Sequence, residues 1–451
     1  MCSFLVTNSD IINLLHVMFF LKFRGPDNTN QLTYEGFHFV HNLLQITGEP
    51  TLQPFADETL HIICLYNGEI YNYKDFGDYK SDGLCLIDLY KKFGTDFIKQ
   101  LDGEFAIVLF DFPRNQIIMS SDVFATKPIW YSINNDKIAI SSYESGLIRL
   151  GYHQNVKIPA NTTYILNISN LTLIETKTVY DFDLIQHKDN FNDWVTAFDE
   201  AIKKRAMNMK YPIFLCLSSG YDSGCIAASL NKQKIPYNTY TILATENRSI
   251  VEQRIKLNKV DFNVLDMTQT QFIANQKLLK ENCEEFTYIG AYNGNFPIQM
   301  TDDQAATGLF YICSLAKKKN IRIFLSGHGA DEIYCDYGFQ GHKFVVNSCF
   351  GGKYPDNLSD IFPSKNINHW KNFYDGSMKC YMAKEEHVSG SQGIEGRYPY
   401  LDKKLVQEFL WLTPELKNSY YKAPLDYYLK SHSYPYEDGI KRGFEAGRNL
   451  K

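Results

Sequence analysis

Short apolar stretches separated by turn residues dominate the first part of the chain. Turn residues such as Asn67-Gly68 and Pro113 bound these stretches, which is typical of strands. One clear helical pattern, over about 84–94, interrupts them. Strands with few helices predict a sheet-rich α+β domain. The stretches predicted as strands are 61–66, 105–112, 128–133 and 137–142.

From about Phe191 onward, helical and strand patterns alternate. Short loops between them are typical of a parallel, doubly wound sheet. A polar stretch near 183–192 separates the two patterns, so we predict two domains, 1–185 and 186–451. The predicted helices are 191–209, 224–232, 249–259 and 303–319, and the predicted strands are 211–217, 237–243, 261–266 and 321–326.

The run from Ile11 to Phe23 is apolar but contains Asn13, His16 and Lys22. It is too short to span a bilayer, and no cleavage site of small residues follows it. Its apolar positions 11, 14, 15, 18 and 19 fall on one helical face. We therefore predict a buried helix behind a short first strand.

Composition narrows the possible functions. A chain of 451 residues is too long for one compact core. Its content of 44% hydrophobic and 22% charged residues is ordinary for globular proteins. The net charge of −5 shows no basic excess, so we predict no nucleic-acid partner and no membrane partner. None of the ten cysteines forms a C-x-x-C pair, which argues against a zinc ribbon and favours the reducing cytoplasm.

A turn rich in serine and glycine follows the predicted strand 211–217. It consists of Ser218-Ser219-Gly220-Tyr221-Asp222-Ser223 and opens a helix. Unpaired N–H groups at a helix start bind anions, and Asp222 offers the oxygen ligand that Mg²⁺ prefers. The turn lacks the G-x-x-x-x-G-K-[ST] pattern of a P-loop. Taken alone, it is more simply explained as a capped helix start without a ligand.

A second turn changes that balance. Ser326-Gly327-His328-Gly329-Ala330-Asp331-Glu332 follows the predicted strand 321–326. Ligands of doubly wound sheets bind beyond the carboxyl ends of the strands. We therefore expect the two turns to grip the phosphates and the metal of one nucleotide.

Nine motifs, in sequence order, resemble those of asparagine synthetases and their relatives, including β-lactam synthetase. Together they extend over nearly the whole chain. The resemblance implies an α+β glutaminase-type (N-terminal nucleophile) sandwich, followed by an α/β doubly wound parallel sheet of the ATP pyrophosphatase type. The motifs are Met1-Cys2, Arg24-Gly25-Pro26-Asp27, Asn67-Gly68-Glu69-Ile70-Tyr71-Asn72, Ser81-Asp82, Leu101-Asp102-Gly103, 217–223, 325–332, 395–402 and Lys422.

For the front half, the resemblance implies a class II glutamine amidotransferase. Removal of Met1 would free Cys2 as a nucleophile whose own α-amine serves as the base. Asn67 and Gly68 would form the oxyanion hole. Glutamine would be bound by Asn67, Gly68, Glu69 and Asp82. The released ammonia would travel inside the protein.

For the back half, the resemblance implies that ATP adenylates a small carboxylate with loss of pyrophosphate, and that ammonia then attacks. Asp222 and Asp331 would bind Mg²⁺, and Lys422 would stabilise charge at the α-phosphate. Glu395 and His328 complete the predicted catalytic residues. The implied enzyme is cytoplasmic and compatible with a homodimer. The positions that would bind ATP and pyrophosphate are Leu217, Ser218, Ser219, Gly220, Asp222, Ser223, Ile242, Ser326 and Gly327.

Four positions depart from the family pattern. Leu43 stands where the family has the arginine that binds the glutamine carboxylate. Leucine cannot make this bidentate contact, and its loss could cost about 2–5 kcal/mol of binding. Ser219 replaces a glycine, while His328 replaces an acid and Gln304 an arginine on the acceptor side. The last two changes argue against aspartate as the acceptor.

In β-lactam synthetase a tyrosine matches position 328 and works with a glutamate to deprotonate an amine. His328 beside Glu395 could act in the same way, or His328 could simply shape the pocket.

Three functions remain open at this stage. The first is a glutamine-dependent amidotransferase that uses ATP, which Cys2 and Asn67-Gly68-Glu69 favour. The second is an amide ligase or cyclase for a non-aspartate acceptor, with a weakened or relict glutaminase half, which Leu43 and His328 favour. The third is a nucleotide-binding module without catalysis.

Overall fold

A computed structural model describes residues 2–206, 210–258, 261–290, 296–363, 369–444 and 446. Contacts divide the chain into two units. Unit 1 comprises Met1–Asp181 and Gly390–Ile394, and unit 2 comprises Phe182–Ser389 and Glu395–Lys451.

The apolar stretches of unit 1 form two antiparallel sheets in the described residues. The strands are β1 Ser3–Thr7, β2 Asn28–Tyr34, β3 Phe37–Leu43, β4 Phe55–Ala56, β5 Ile62–Ile70, β6 Gly103–Asp111, β7 Gln116–Ser121, β8 Trp130–Asn134, β9 Lys137–Ser141, β10 Val156–Lys157, β11 Thr162–Asn167 and β12 Leu173–Thr178. The strand order is β10-β8-β9-β1-β3-β2 in the first sheet and β12-β11-β7-β6-β5-β4 in the second.

The core of unit 1 lies between these sheets. Side chains alternate across a strand, so every second residue faces inward. Phe4 and Phe39 of the first sheet and Val108 and Phe110 of the second belong to one buried cluster. The rings of Phe39 and Phe110 meet edge to face at 5.2 Å between centroids. Apolar burial on both inner faces therefore holds the sandwich together.

The prediction of one buried helix over Ile11–Phe23 is wrong. The segment forms two single-turn helices, and Leu15 is 76% exposed. Val17 and Leu21 are instead buried against the first sheet. One turn of helix covers too little surface to bury a whole apolar stripe. The helices of unit 1 are α1 Leu14–Val17, α2 Leu21–Arg24, α3 Cys85–Phe93 and α4 Glu144–Arg149.

Strands and helices alternate in unit 2. The strands are β13 Ile213–Cys216, β14 Asn238–Ile242, β15 Asp261–Leu265, β16 Thr287–Gly290, β17 Phe296–Gln299, β18 Ile323–Leu325, β19 Gly338–Phe339, β20 His342–Lys343 and β21 Glu395–Arg397. The helices are α5 Asn192–Ala206, α6 Tyr221–Lys232, α7 Arg248–Asn258, α8 Gln269–Asn282, α9 Gln304–Lys318, α10 Ala330–Tyr334, α11 Gly376–Gly390, α12 Lys403–Trp411, α13 Pro414–Lys417 and α14 Ala423–Ser431.

The central sheet of unit 2 is parallel throughout its described strands, in the order β15-β14-β13-β18-β21. The predicted fold class, an α+β sandwich followed by a doubly wound parallel sheet, is confirmed. Helix α6 begins at Tyr221, three residues earlier than predicted, which places Asp222 and Ser223 in its first turn. Across the described residues, no helix is long and apolar enough to cross a membrane.

A buried ion cluster joins α5 to the start of α12. The carboxylate of Asp402 accepts a hydrogen bond from Arg205 at 2.8 Å and pairs with Lys204. The same carboxylate caps α12 by accepting from the N–H of Lys404. Burial alone would raise the pKa of Asp402, but the two cations hold it below its ordinary value.

We expect Asp402→Asn to lower the free energy of unfolding of unit 2 by about 3–5 kcal/mol, because it leaves Arg205 buried without its counter-ion. The pKa of Asp402 is depressed in the fold, so its contribution is present above pH ~4 and is lost on acidification. The difference between wild type and variant, measured by calorimetry, should therefore shrink as the pH falls. Glu200→Gln, which removes an exposed partner of Lys203 on the same helix, is the control and should change little.

Candidate functional site

The two glycine-containing turns of unit 2 leave the same edge of the sheet. Strands β13 and β18 are parallel neighbours, with Leu215 opposite Leu325. The turns that follow therefore lie side by side. A Cβ atom placed on Gly327 would come within 3.0 Å of the Cβ of Asp222. This is the convergence that the sequence predicts.

A lysine joins the acids of the two turns. The Nζ of Lys422 forms ion pairs with Asp222 and with Asp331, the latter at 2.8 Å. Lys422 precedes α14 with φ of 50°, a left-handed conformation that a side chain disfavours, so the surroundings must stabilise it. Burial would lower the pKa of Lys422, but the two carboxylates raise it well above its ordinary value. The ammonium therefore stays charged.

The pKa values of the two acids shift in opposite directions. Burial raises the pKa of Asp222, although Lys422 opposes the shift. Burial alone would also raise the pKa of Asp331, but Lys422 and Lys441 together hold that pKa below its ordinary value. Lys441, which the sequence did not mark as a site residue, forms an ion pair with the second oxygen of Asp331. Asp331 is therefore ionised and contacts two cations.

The first turn already binds an anion from the chain itself. The N–H and the hydroxyl of Ser219 both donate to Oε2 of Glu246, at 2.5 and 2.6 Å. The hydroxyls of Ser218 and Ser223 lie 2.8 Å apart next to it. A carboxylate in this place shows that the donors of the turn suit an anionic oxygen, as a phosphate would supply.

An arginine behind the turn fixes its orientation. Arg254 of α7 is buried, and its guanidinium donates to the carbonyl oxygens of Ser218 and Gly220. Its Nε donates to the carbonyl of Pro435 at 2.8 Å. With the carbonyl groups turned toward Arg254, the N–H groups of the turn point away from it. No local sequence pattern marks this residue, because the contact joins segments 34–36 positions apart.

The remaining predicted nucleotide positions lie at neighbouring strand ends. The N–H of Leu217 donates to the carbonyl of Tyr240 at 2.9 Å, and its carbonyl accepts from the hydroxyl of Thr241. Ile242 is buried and ends β14. The hydroxyl of Ser326 donates to Glu385 at 2.5 Å.

The donor set fits a magnesium nucleotide. Among the described residues, no group of three or more His, Cys, Asp or Glu side chains could hold a metal ion unaided. Mg²⁺ commonly binds one or two carboxylates together with phosphate oxygens and water. Asp222 and Asp331, which share Lys422, provide such a pair.

His328 and Glu395 have different polar partners. Glu395 lies on β21, and its carboxylate accepts from Nε of Arg397 at 2.7 Å. The carboxylate 3.8 Å from Nδ1 of His328 belongs to Glu332, while Nε2 lies 2.9 Å from the carbonyl of Met378. Glu395 closes an ion pair within the sheet, so a direct catalytic role for it stays a prediction.

Glu385 is a second acid near His328, and the sequence did not predict it. It lies on α11 and accepts from Ser326, whose hydroxyl also accepts from the N–H of His328. Burial raises the pKa of Glu385, and a charged His328 would oppose this. Gln304 begins α9 after Asp303, which pairs with Lys384 of α11 at 2.7 Å. Acidic and basic groups therefore both lie on the predicted acceptor side.

In unit 1, strand β5 carries the predicted oxyanion residues. Asn67 is fully buried, and neither its Nδ2 nor its Oδ1 has a hydrogen-bond partner among the described residues. An unsatisfied buried amide costs about 1–3 kcal/mol, so a ligand that accepts from it gains that energy. Gly68 has φ of 140°, and a Cβ there would lie 1.9 Å from the carbonyl oxygen of Glu104. No other residue fits this position.

The predicted nucleophile lies beside β3. The Sγ of Cys2 is 3.5 Å from the N–H of Leu44, and Nε of Arg24 donates to the carbonyl of Cys2 at 3.2 Å. Arg24 thus supports the backbone of Cys2. Leu43 is buried at the end of β3, next to Leu44.

The predicted glutamine-binding acids are buried near the oxyanion strand. Asp82 accepts from the N–H of Ile70 at 2.9 Å and from the hydroxyl of Tyr66, which fixes its carboxylate against β5. Glu69 is 6% exposed on the same strand. Asn72, by contrast, binds the N–H of Asp102 and the carbonyl of Gln100. The end of that motif therefore joins two chain segments.

Comparisons with known proteins match both halves of the chain. Residues 1–182 match the family model described as a glutamine amidotransferase domain, and residues 194–375 match that of asparagine synthase. The asparagine synthetase (glutamine-hydrolysing) of Mus musculus is 25% identical over 444 residues, covering 87% of this chain and 73% of that protein. A second asparagine synthetase, from Arabidopsis thaliana, is 24% identical and covers 88% and 67%.

Solved structures resemble the chain more distantly. Glutamine phosphoribosylpyrophosphate amidotransferase from B. subtilis is 11% identical, with a TM-score of 0.33, and covers 82% of this chain and 88% of its own. The NMN synthetase of Francisella tularensis is also 11% identical, with a TM-score of 0.24, and covers 57% and 100%. These scores are too low to indicate a shared whole-chain architecture.

Glu246 and a bound phosphate would compete for Ser219. We therefore expect Glu246→Gln to raise the affinity for magnesium pyrophosphate about tenfold, because the ligand no longer has to break a charge-assisted contact to reach Ser219. Isothermal titration calorimetry measures this affinity. Glu252→Gln, which changes an exposed acid on the helix α7 that follows Glu246, is the charge-matched control. Weaker binding by Glu246→Gln would instead mean that Glu246 holds the ligand.

Proposed function

The chain belongs to the asparagine synthetase family, and from that premise we propose how its two units divide the reaction. It is a glutamine-dependent, ATP-consuming ligase that forms a carbon–nitrogen bond. In our proposal, unit 1 hydrolyses glutamine to glutamate and ammonia. Unit 2 joins a substrate carboxylate to the α-phosphate of ATP, releasing pyrophosphate, and ammonia then displaces AMP to give the amide.

The cluster of Asp222, Asp331 and Lys422 supports this proposal most strongly. Two turns that are far apart in sequence bring two acids together at the carboxyl edge of a parallel sheet, where Lys422 pairs with both. We propose that the acids bind Mg²⁺ and that the turn 218–223 binds the pyrophosphate portion of ATP. Mg²⁺ would offset negative charge on the phosphates. Lys422 would then stabilise charge at the α-phosphate as pyrophosphate leaves.

In unit 1, we propose Cys2 as the nucleophile and Asn67 with Gly68 as the oxyanion hole. The unpartnered amide of Asn67 supports this role, because it can donate to an oxyanion without first breaking another hydrogen bond. Glu69 and Asp82 would bind the ammonium group of glutamine. Leu43 leaves the glutamine carboxylate without the family's arginine, so we propose a weak affinity for glutamine.

The acceptor in this proposal is a carboxylate other than aspartate. His328 and Gln304 stand where the family has an acid and an arginine, so the charges offered to the acceptor differ. The two roles predicted for His328, a base or a residue that shapes the pocket, both stay predictions. The cytoplasmic location, the homodimer and the absence of nucleic-acid partners stay predictions as well.

Cys2→Ala tests whether unit 1 hydrolyses glutamine while unit 2 forms the adenylate. We expect it to lower glutamine-dependent AMP formation at least ~1,000-fold, because no other group replaces the thiolate, while ammonia-dependent AMP formation persists. AMP and pyrophosphate are quantified across a panel of carboxylates that includes aspartate. Cys349→Ala, remote in sequence from every predicted site residue, is the control. If wild type forms no AMP with any carboxylate or nitrogen donor, the ligase proposal fails.

Leu43→Arg tests the weak glutamine site. We expect the arginine to lower the KM for glutamine about tenfold or more by restoring a charge-assisted contact, with ammonia-dependent kinetics unchanged. Leu43→Met controls for disturbed packing of β3 and should leave the KM unaltered. An unchanged KM in a Leu43→Arg enzyme that is fully active with ammonia would show that the glutamine carboxylate is bound elsewhere.

A further inference from the structure

An apolar side chain lies next to the predicted nucleophile of unit 1. Side chains alternate along β3, so Leu43 faces the same side as Phe39 of the buried cluster between the sheets. Strands β1 and β3 are antiparallel neighbours, and their register, continued one position beyond Ser3, brings Cys2 level with Leu43. Sγ of Cys2 lies 3.5 Å from the N–H of Leu44. Leu43 therefore borders the space in which the thiol reacts.

Two further side chains near Leu43 are polar but uncharged. His41 lies two positions earlier, on the same face of β3, and burial lowers its pKa to about 3, so its ring is neutral at physiological pH. Oγ1 of Thr47 is buried and has no hydrogen-bond partner among the described residues. We call Leu43, His41 and Thr47 the neutral wall, because the three side chains carry no positive charge.

The neutral wall meets the segment that carries the predicted glutamine-binding acid Asp82. A Cβ atom placed on Gly48, directly after Thr47, would lie 2.3 Å from the carbonyl oxygen of Lys80 and 3.1 Å from Cα of Ser81. The segments around 48 and 81 are thus in close backbone contact. A ligand whose ammonium group binds Asp82 therefore has the hydroxyl of Thr47 on a neighbouring segment.

Acids predominate on the other side of the predicted site. Glu69 lies opposite Glu104 in the ladder of β5 and β6, and the buried Lys127 pairs with Glu104 at 3.7 Å. Asp82 accepts from the N–H of Ile70, a neutral donor. When these groups are ionised, three carboxylates are set against one lysine. A positive ligand offsets this excess, whereas a second carboxylate on the ligand would add to it.

Arg24 lies on the opposite face of the first sheet. Its guanidinium lies 4.7 Å from the centre of the Tyr143 ring. Tyr143 packs with Leu5 and Val40, whose side chains face away from the core between the two sheets. Arg24 therefore supports the backbone of Cys2 from behind and adds no charge to the neutral wall.

We propose that the preferred donor of unit 1 is a glutamine whose α-carboxyl group is neutral, because it is already part of an amide bond, as at the N-terminus of a peptide. This inference rests on the proposed glutaminase function of unit 1. The α-ammonium group would contact Glu69 and Asp82. The α-carbonyl would accept from the hydroxyl of Thr47, and the group beyond it would pack on Leu43. A free carboxylate would have to be buried there without a counter-ion, which is costly.

The reaction of such a donor involves only its side chain. The sulfur of Cys2 forms a bond to the side-chain carbonyl carbon, and the bond from that carbon to nitrogen breaks. The α-amine of Cys2 carries the thiol proton to the nitrogen, which leaves as ammonia. Water then hydrolyses the thioester to a side-chain carboxylic acid and restores the thiol. The α-amide bond stays intact.

Ammonia release by the full chain tests this preference, with glutamine and glutamine α-N-methylamide as the two donors. The methylamide keeps the α-ammonium group, and its side chain carries its single primary amide, so ammonia comes only from there. After subtraction of the enzyme-free rate, we expect wild type to show a kcat/KM for the methylamide at least ~10-fold above that for glutamine, because no free carboxylate has to be buried. Cys2→Ala should release ammonia from neither donor.

Substitutions in the neutral wall test its contacts. Leu43→Arg should reverse the preference, because a guanidinium pairs with a free carboxylate but not with a methylamide. Thr47→Val keeps the shape of the side chain and should lower the kcat/KM for the methylamide about tenfold, because one hydrogen bond is lost. Thr176→Val, on the exposed strand β12, is the matched control and should equal wild type with both donors.

The comparison of the two donors on wild type decides the inference without any variant. A kcat/KM for glutamine equal to or above that for the methylamide overturns the inference and leaves the proposed glutaminase function standing. Ammonia release from neither donor, with ammonia-dependent AMP formation intact, removes the glutaminase function as well. The two failures are therefore distinguished.

Discussion

The ion pairs of Lys422 with Asp222 and Asp331 are the interaction on which the rest of unit 2 depends. They join two turns about a hundred residues apart, and a left-handed residue before α14 supplies the lysine. Such a pair is costly to bury unless each charge is matched. The surrounding helices are therefore constrained to keep both turns and the lysine together.

Charges of the chain occupy the positions that the proposed function assigns to a nucleotide and its metal. Glu246 lies against the donors of the first turn, and Lys441 lies against Asp331. A polar site of this kind is largely satisfied in the absence of ligand, because Ser219 and both acids already have partners. Binding then becomes an exchange of partners, so its net free energy is smaller than the sum of the new contacts. Arg254, behind the turn, lets the first turn keep its shape during this exchange.

In unit 1, by contrast, a predicted site residue has no partner from the described chain. The amide of Asn67 is buried without a partner among the described residues, and Gly68, in a conformation that glycine adopts readily and other residues do not, lies next to it. In the proposed function, a developing oxyanion would accept the hydrogen bond that folding leaves unmade there. The acid Asp82 is already fixed by Tyr66 and the N–H of Ile70. A glutamine that enters this site meets rigid groups at its reacting end and an apolar Leu43 where the family has an arginine.

The sequence by itself determined the fold class and most residues of the two turns, because strand periodicity and glycine-rich turns are local properties of the chain. It also revealed the replacement at Leu43 directly. The single-turn helices near Val17, the early start of α6 and the true neighbours of His328 were decided by tertiary packing. The same holds for Arg254, Glu385 and Lys441, whose side chains look like ordinary charged residues in the sequence. Their roles arise from contacts between segments distant along the chain, and no local pattern records which distant charges will meet once the sheet has formed.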